Sequence, residues 1–169
     1  MFPIIPANSV AEESGNSEGI FGYGENGGYT AVTNLVSNTG VVATDVVGVG
    51  TARRYLAACE FGGDKGIFGY GWIGSSVSMT NLVSNAGVVS SDVTGVGTAR
   101  NSPAACGYGG DKGIFGFGHD DSNDVSMTNL VSNAGVVASD TAGVGSARLG
   151  PAACEYGEDK GIFGFGYGL

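Results

Sequence analysis

Charge is scarce in this sequence. Asp, Glu, Lys and Arg make up 14% of the 169 residues, 7 basic against 16 acidic, for a net charge of -9. A share near a quarter is usual, so the surface has to be built largely from Ser, Thr, Asn and Gly. Lys65, Lys112, Lys160, Arg53, Arg100 and Arg148 stand apart, with Arg54 forming the one doublet. That spacing disfavours nucleic acid, which draws on clustered Lys and Arg, and it disfavours an anionic membrane surface for the same reason. No apolar run approaches the roughly 18–20 residues of a membrane-spanning helix, so membrane insertion is not expected. Residues 1–15 lack the basic start and apolar core of a secretory signal, and nothing in the chain supplies an address. One histidine, one tryptophan and three cysteines leave little material for a catalytic constellation or a disulfide framework. What abounds is glycine: 33 residues, about a fifth of the chain against a usual share near 7%. Glycine on that scale rules out a helical bundle, while 42% hydrophobic residues are enough for a core of short strands and tight turns.

An internal repeat dominates the rest. The string Gly-Ile-Phe-Gly begins at Gly19, Gly66, Gly113 and Gly161, in steps of 47, 47 and 48 residues. TNLVSN begins at Thr33, Thr80 and Thr128, and Ala-Arg recurs at Arg53, Arg100 and Arg148. The extra residue of the last step lies in the loop after Gly118, where an insertion is tolerated. Within the second copy, Ala57-Ala58-Cys59-Glu60-Phe61, the turn Gly62-Gly63-Asp64-Lys65 and Gly66-Ile67-Phe68-Gly69-Tyr70 predict one hairpin. Residues 77–84 alternate, turn at Asn85-Ala86-Gly87 and return over 88–91, which predicts a second. Four short antiparallel strands per 47 residues is the size and content of a β-propeller blade.

Taken in order, a basic residue (Arg100) precedes an apolar strand (Pro103-Ala104-Ala105-Cys106), followed by a Gly-Asp-Lys turn and an aromatic strand ending in glycines (Ile114-Phe115-Gly116-Phe117-Gly118). A variable loop and an outer hairpin complete the copy. This order resembles the kelch repeat over nearly the whole chain. The paired glycine of that motif is split here, as in Gly69 and Gly71, and its tryptophan position holds Val42, Val89 and Val137. The resemblance implies an all-β, kelch-like propeller, and the Gly/Asn-rich repeats, which also suit stacked coils, leave a right-handed β-solenoid as the alternative fold.

A single repeat domain over 1–169 is expected, with a degenerate first blade (8–53), a second (54–100), a third (101–148) and a terminal half-blade hairpin (149–169). Three and a half blades do not close a ring, and an orphan hairpin leaves an open edge. Homo-oligomers are therefore expected, in which the terminal hairpin of one chain pairs with the outer strands, 32–45, of the next. A closed arrangement gives a dimer of six or seven blades and a non-closing one gives a filament.

Nearly every polar residue recurs at equivalent places, and His119 has no Ser or Cys beside it in sequence, so a non-catalytic protein without cofactors is expected. Cys59, Cys106 and Cys154 fall at one blade position each and read as small apolar fillers. The Asp-Lys pairs at 64–65, 111–112 and 159–160 read as turn residues, and Arg53, Arg100 and Arg148 as bridges between neighbouring blades. No metal site is expected; Asp120, Asp121 and Asp124 are the candidates for calcium, set against a plain solvated loop. The copies differ mainly after the second strand, where Glu25, Trp72 and His119 are equivalent, and before the first, in Arg54-Tyr55-Leu56, Asn101-Ser102-Pro103 and Leu149-Gly150-Pro151. Both segments emerge on one rim of an up-and-down blade, which makes Glu25, Tyr29, Arg54, Tyr55, Trp72, Asn101, His119, Asp120 and Asp121 the candidate binding face. Exposed aromatics there suit glycan or protein. The acidic Gly/Ser/Thr/Asn-rich repeats are also similar to virion proteins of aquatic bacteriophages, through the strings GIFGYG and TNLVSNTGVVATD. A virion-surface or extracellular adhesin is the first reading of function, and an intracellular kelch-type adaptor the alternative.

Overall fold

Aromatic and β-branched runs cut short by glycine favour strands over helices. The computed structural model describes residues 18–168, and these form ten strands and no helix. The first copy contributes β1 (Gly19–Glu25) and β2 (Tyr29–Val36). The second holds β3 (Ala57–Phe61), β4 (Lys65–Gly69) and β5 (Thr80–Val83), and the third β6 (Ala104–Tyr108), β7 (Lys112–Gly116) and β8 (Thr128–Val131). The last hairpin is β9 (Ala152–Tyr156) and β10 (Lys160–Gly164). All pairing is antiparallel, in sheets of two or three strands, none of them closed.

The expected first hairpin of each copy forms, and the second is curtailed. Strand pairing begins only at Thr80, because Tyr70 and Gly71 leave β4 with φ of 64° and 115° and break the ladder beside 77–79. The return segment pairs at single residues, Val83 with Val89 and Thr80 with Val93. Four steps on one side against three on the other make a bulge, and the Ser90 hydroxyl takes the Leu82 N–H at 3.0 Å. The fourth blade strand is thus a bulged ribbon held by Ser90 N–H to Leu82 O and Val93 N–H to Thr80 O, both 2.8 Å. The portion of the first expected hairpin at 8–17 lies outside the described residues. β2 has β1 on one edge and Val42 and Val46 on the other, so a further strand enters at 32–45 only by displacing one of them.

Successive copies stack through the same knobs and seats. The Phe68 ring lies over Gly22, Phe115 over Gly69 and Phe163 over Gly116, where an added Cβ would come within about 3 Å of ring atoms or of a neighbouring threonine. In the other direction, Cys59 Sγ sits over Gly113 and Cys106 Sγ over Gly161, so these two fill space as expected, whereas Cys154 is exposed. Edge-to-face pairs, Tyr23 with Phe68 at 5.2 Å and Tyr70 with Phe115 at 5.1 Å, run through the two core clusters. Full burial of one such ring contributes roughly 1.5–3 kcal/mol. The inner strands β3, β6 and β9 lie beside one another.

The largest fully buried side chains are arginines. Arg53 and Arg100 are 0% exposed, and each stands at a junction between copies. The Arg53 guanidinium lies 4.3 Å over the Tyr23 ring of the preceding copy. It donates from Nε to the Tyr70 carbonyl at 2.8 Å and from Nη2 to Asn81 Oδ1 at 2.7 Å, both in the following copy. A third bond goes to the Thr51 carbonyl at 3.1 Å, and the Asp92 carboxylate stands 3.9 Å away. Thr51 in turn gives its N–H and hydroxyl to Asp92. Arg100 repeats the stacking, 4.0 Å over Tyr70, with the Thr98 carbonyl and Asp140 beside it, but its Nε and Nη2, like Asn129 Oδ1, are buried without a hydrogen-bond partner. Burial lowers the pKa of both arginines, and the tyrosine and aspartate beside each act in the other direction.

Removing Arg53 would leave Asn81 and the Tyr70 carbonyl unpaired in the interior. Arg53→Ala is expected to cost about 1–3 kcal/mol for each buried polar partner left unpaired, whereas the change at its half-buried rim neighbour, Arg54→Ala, costs no more than about 1 kcal/mol. Equal effects of the two in thermal unfolding would refute the assignment of Arg53 as the junction.

Candidate binding rim

The connector entering each copy and the loop leaving its second strand reach the same edge because Tyr70 and Gly71 turn the chain through two consecutive left-handed residues. A Cβ at Gly71 would meet the Arg54 carbonyl oxygen at 2.8 Å, so this crossing requires glycine. Beyond it, Trp72 and Arg54 exchange both backbone hydrogen bonds, at 2.8 and 3.1 Å, and His119 and Asn101 do the same at 2.9 Å. Leu149 and Tyr167 close the last copy in the same way. Adjacent connectors are tied as well: Ser102 N–H reaches the Tyr55 carbonyl at 2.8 Å and Gly150 N–H the Ser102 carbonyl at 2.9 Å.

Of the nine residues expected on this face, Glu25, Tyr29, Tyr55 and Trp72 meet Arg54, Asn101, His119 and Asp121 meet Ser76, and Asp120 bonds only within its own turn. Arg54 forms an ion pair with Glu25 of the preceding copy and lies over two rings, 5.4 Å from the centre of Tyr29 and 4.6 Å from that of Tyr55. Tyr29 is 38% and Tyr55 52% exposed, and the Glu25 carboxylate raises the pKa of Arg54. Trp72 is half-buried, with exposed Ile73 beside it. On the third copy, Asn101 Nδ2 donates to Ser76 Oγ at 3.0 Å. Ser76 gives its N–H, at 2.9 Å, and its hydroxyl to Asp121, whose pKa these bonds lower. His119 Nδ1 lies 3.0 Å from Asp124 Oδ1.

The three carboxylates considered for calcium point to three different tasks. Asp120 accepts the N–H groups of Ser122 and Asn123 within its own turn, at 3.0 and 2.8 Å, Asp121 holds Ser76, and Asp124 faces His119. Among the described residues no three potential ligands gather around one point. The opposite rim carries the near-constant turns, where Asp64 and Asp111 pair with Lys65 and Lys112. Those turns also link copies, Gly62 N–H to the Asp111 carbonyl and Gly109 N–H to the Asp159 carbonyl at 2.7 Å each.

Two features escaped the sequence reading. Ser76 and Ser102 fasten neighbouring loops, and only the register of the repeat marks them out. Glu60 and Glu155, two copies apart, meet across Gly107: a Cβ there would lie 3.1 Å from Glu60 Oε1 and 2.5 Å from Glu155 Oε2. Their signal is the glycine that replaces glutamate in the middle copy. Burial, then the bond and charge of Glu155, raise the pKa of Glu60. Close by, burial pushes the Cys59 thiol up to about 12, which keeps it protonated and unreactive. No protein-family model matches the chain, and no curated protein matches it.

A carboxyl whose pKa is raised by folding favours the protonated state. Its native form is unpenalised below the ordinary glutamate value near 4.3 and loses stability as pH climbs through the raised one. Glu60→Gln is therefore expected to raise the melting temperature at pH 7 and to leave it unchanged near pH 4. A variant equally stabilised or destabilised at both pH values would contradict the Glu60–Glu155 contact.

Proposed function

We propose that the chain is a non-catalytic binding module of kelch-like propeller architecture, which contacts glycan through the rim running from Glu25 and Tyr29 to Asp121. The observation that carries this reading is the chemistry of the rim against its frame. The variable positions of the repeat converge there into one surface, and two exposed tyrosines flank an arginine that is tethered by Glu25. Rings held open beside a fixed cation suit a polyhydroxylated ligand, because the rings stack on sugar faces while guanidinium and carboxylate take hydroxyls.

The contact between Glu60 and Glu155 supports a propeller over a straight solenoid. Stacked sheets are about 10 Å apart, so side chains two copies apart in a straight stack would lie about 20 Å from one another, beyond the reach of two glutamates. Their meeting requires inner strands that converge on an axis. The partner of the chain is itself, in a homo-oligomer, and an exposed binding rim repeated by copies fits a virion-surface or extracellular adhesin.

Tyr29→Ala combined with Tyr55→Ala tests the reading on an array of immobilised polysaccharides. The parent chain is expected to bind a subset of them and the double variant to lose about tenfold or more in affinity, with an unchanged melting temperature. A parent that binds no glycan, or a variant that binds equally well, would overturn it.

A further inference from the structure

The junction that is complete at Arg53, and that Arg100 repeats without the bonds from Nε and Nη2, occurs twice more as separate halves, one near each end of the described chain. Arg148 lies 4.1 Å over Phe117 and donates to the Ser146 carbonyl at 3.1 Å, as Arg53 does with Tyr23 and Thr51. Its Nε is buried without an acceptor, as is that of Arg100; what sets Arg148 apart is that no asparagine or aspartate of the following copy stands beside it among the described residues. At the other end, Asn34 Nδ2 donates to the Ala43 carbonyl at 3.1 Å and Asp45 Oδ1 at 2.8 Å. Asn81 makes the same two bonds, to Ser90 and Asp92, at 3.1 and 2.9 Å. Asn81 is 0% exposed beneath Arg53, whereas Asn34 is half-exposed and the position equivalent to Arg53 in its copy is Pro6.

The strands around the two halves match in sequence and register. β10 carries the Gly-Ile-Phe-Gly of β1, at 161–164 against 19–22. β1 meets β2 with Gly19 opposite Val36 and Ile20 opposite Leu35, just as β4 meets β5 with Gly66 opposite Val83 and Ile67 opposite Leu82. β10 has β9 on one edge and no strand on the other among the described residues. The packing seats are complementary too. Gly164 has open space where Gly22, Gly69 and Gly116 each hold a phenylalanine, and Gly66 has no cysteine over it where Gly113 and Gly161 have theirs. Phe165 is 91% exposed against 0% for the equivalent Tyr70, and Cys154 is exposed.

We propose that two copies join by strand exchange: the β9–β10 hairpin of one takes the place of β1 against β2 of the next, which sets Arg148 onto Asn34 and Asp45 of the second copy. This deepens the homo-oligomer reading above and names its joint. Arg53 of the second copy then stacks on Phe165, its Phe68 seats on Gly164, and Cys154 seats over its Gly66. Each chain contributes three copies to the run, and two chains closing on each other give six. The charges agree, a lone cation meeting a preformed acidic site in a chain of net charge -9.

Leu35 and Ile162 report on the joint directly. Leu35 turns its carbonyl to Ala43, away from β1, so the strand that pairs on the β1 side meets it as a non-hydrogen-bonded neighbour, about 4.5 Å between Cα atoms and within reach of a disulfide. In a Cys154→Ser background, Leu35→Cys with Ile162→Cys is expected to give disulfide-linked multiples of the 16.8 kDa chain on oxidation, while either cysteine alone does not. In light scattering the parent is expected at twice 16.8 kDa or above, and Arg148→Ala, with the β-sheet circular dichroism of the parent, to weaken association about tenfold or more. Should the double cysteine variant fail to fold, thiol labelling of the parent is expected to be slow at Cys154 and to become fast in Arg148→Ala. A parent of monomer mass at every concentration, an oligomer that Arg148→Ala does not loosen, or a link within one chain would overturn the exchange. A monomer that still binds glycan would leave the rim reading standing.

Discussion

A guanidinium taken out of water between an aromatic ring and a carboxamide is the interaction on which this structure depends. Burying a charge is costly unless its donors and its field are met, and at Arg53 they are met from two copies at once, while at Arg100 the ring and the carboxylate stand in place and Nε and Nη2 lack acceptors. At both arginines the ring comes from the copy before and the aspartate from the copy after; at Arg53 the asparagine and the strand-end carbonyl of the copy after accept as well. The aromatic residue reaches that position only because it sits in the left-handed region, at φ near 60° in Tyr23, Tyr70 and Phe117, an unfavourable conformation for a bulky side chain. Stacking beneath the arginine offsets that cost. Burial raises the pKa of Tyr70 while the adjoining guanidinium lowers it, with a net rise, and the ring serves as a neutral platform.

Because the junction fixes both the exit from one strand and the entry to the next, the rim above it is free to vary. Glu25, Trp72 and His119 replace one another without touching the buried arginine, and Tyr55, Ser102 and Gly150 accept the same left-handed backbone with different side chains. Scaffold and recognition are thus divided along the height of each sheet. The lower turns, nearly constant in sequence, tie copy to copy through Gly62 and Gly109. The upper loops carry the chemistry that differs. In the proposed homo-oligomer several such rims would stand at fixed spacing, the arrangement that gives multivalent binding.

Much of this was legible in the sequence because the repeat is nearly perfect. The strand over 57–61 and its copies, the turn at 62–65, the all-β class and the gathering of the variable residues on one rim follow from period, alternation and glycine. The bridging arginines were legible as well, though not their depth. An isolated arginine in an acidic chain looks like a surface residue, and Asn81 lies 28 residues from Arg53, too far for any local pattern. The shortening of the 77–84 strand was hidden for a different reason. It comes from a left-handed aromatic residue, a conformation that glycine normally takes, and nothing in the side chain of Tyr70 announces it. The Glu60–Glu155 contact depends on curvature, which no single repeat contains.

The central claim is that ring and guanidinium hold the copies together as a unit, not as two independently buried side chains. A double-mutant cycle on Tyr70→Leu and Arg100→Met, read by denaturant unfolding, tests it most directly, since the two groups lie 4.0 Å apart. The single losses are expected to fail to add by about 1–2 kcal/mol, the range of a desolvated cation–π contact. Losses that add to within about 0.5 kcal/mol would contradict that claim.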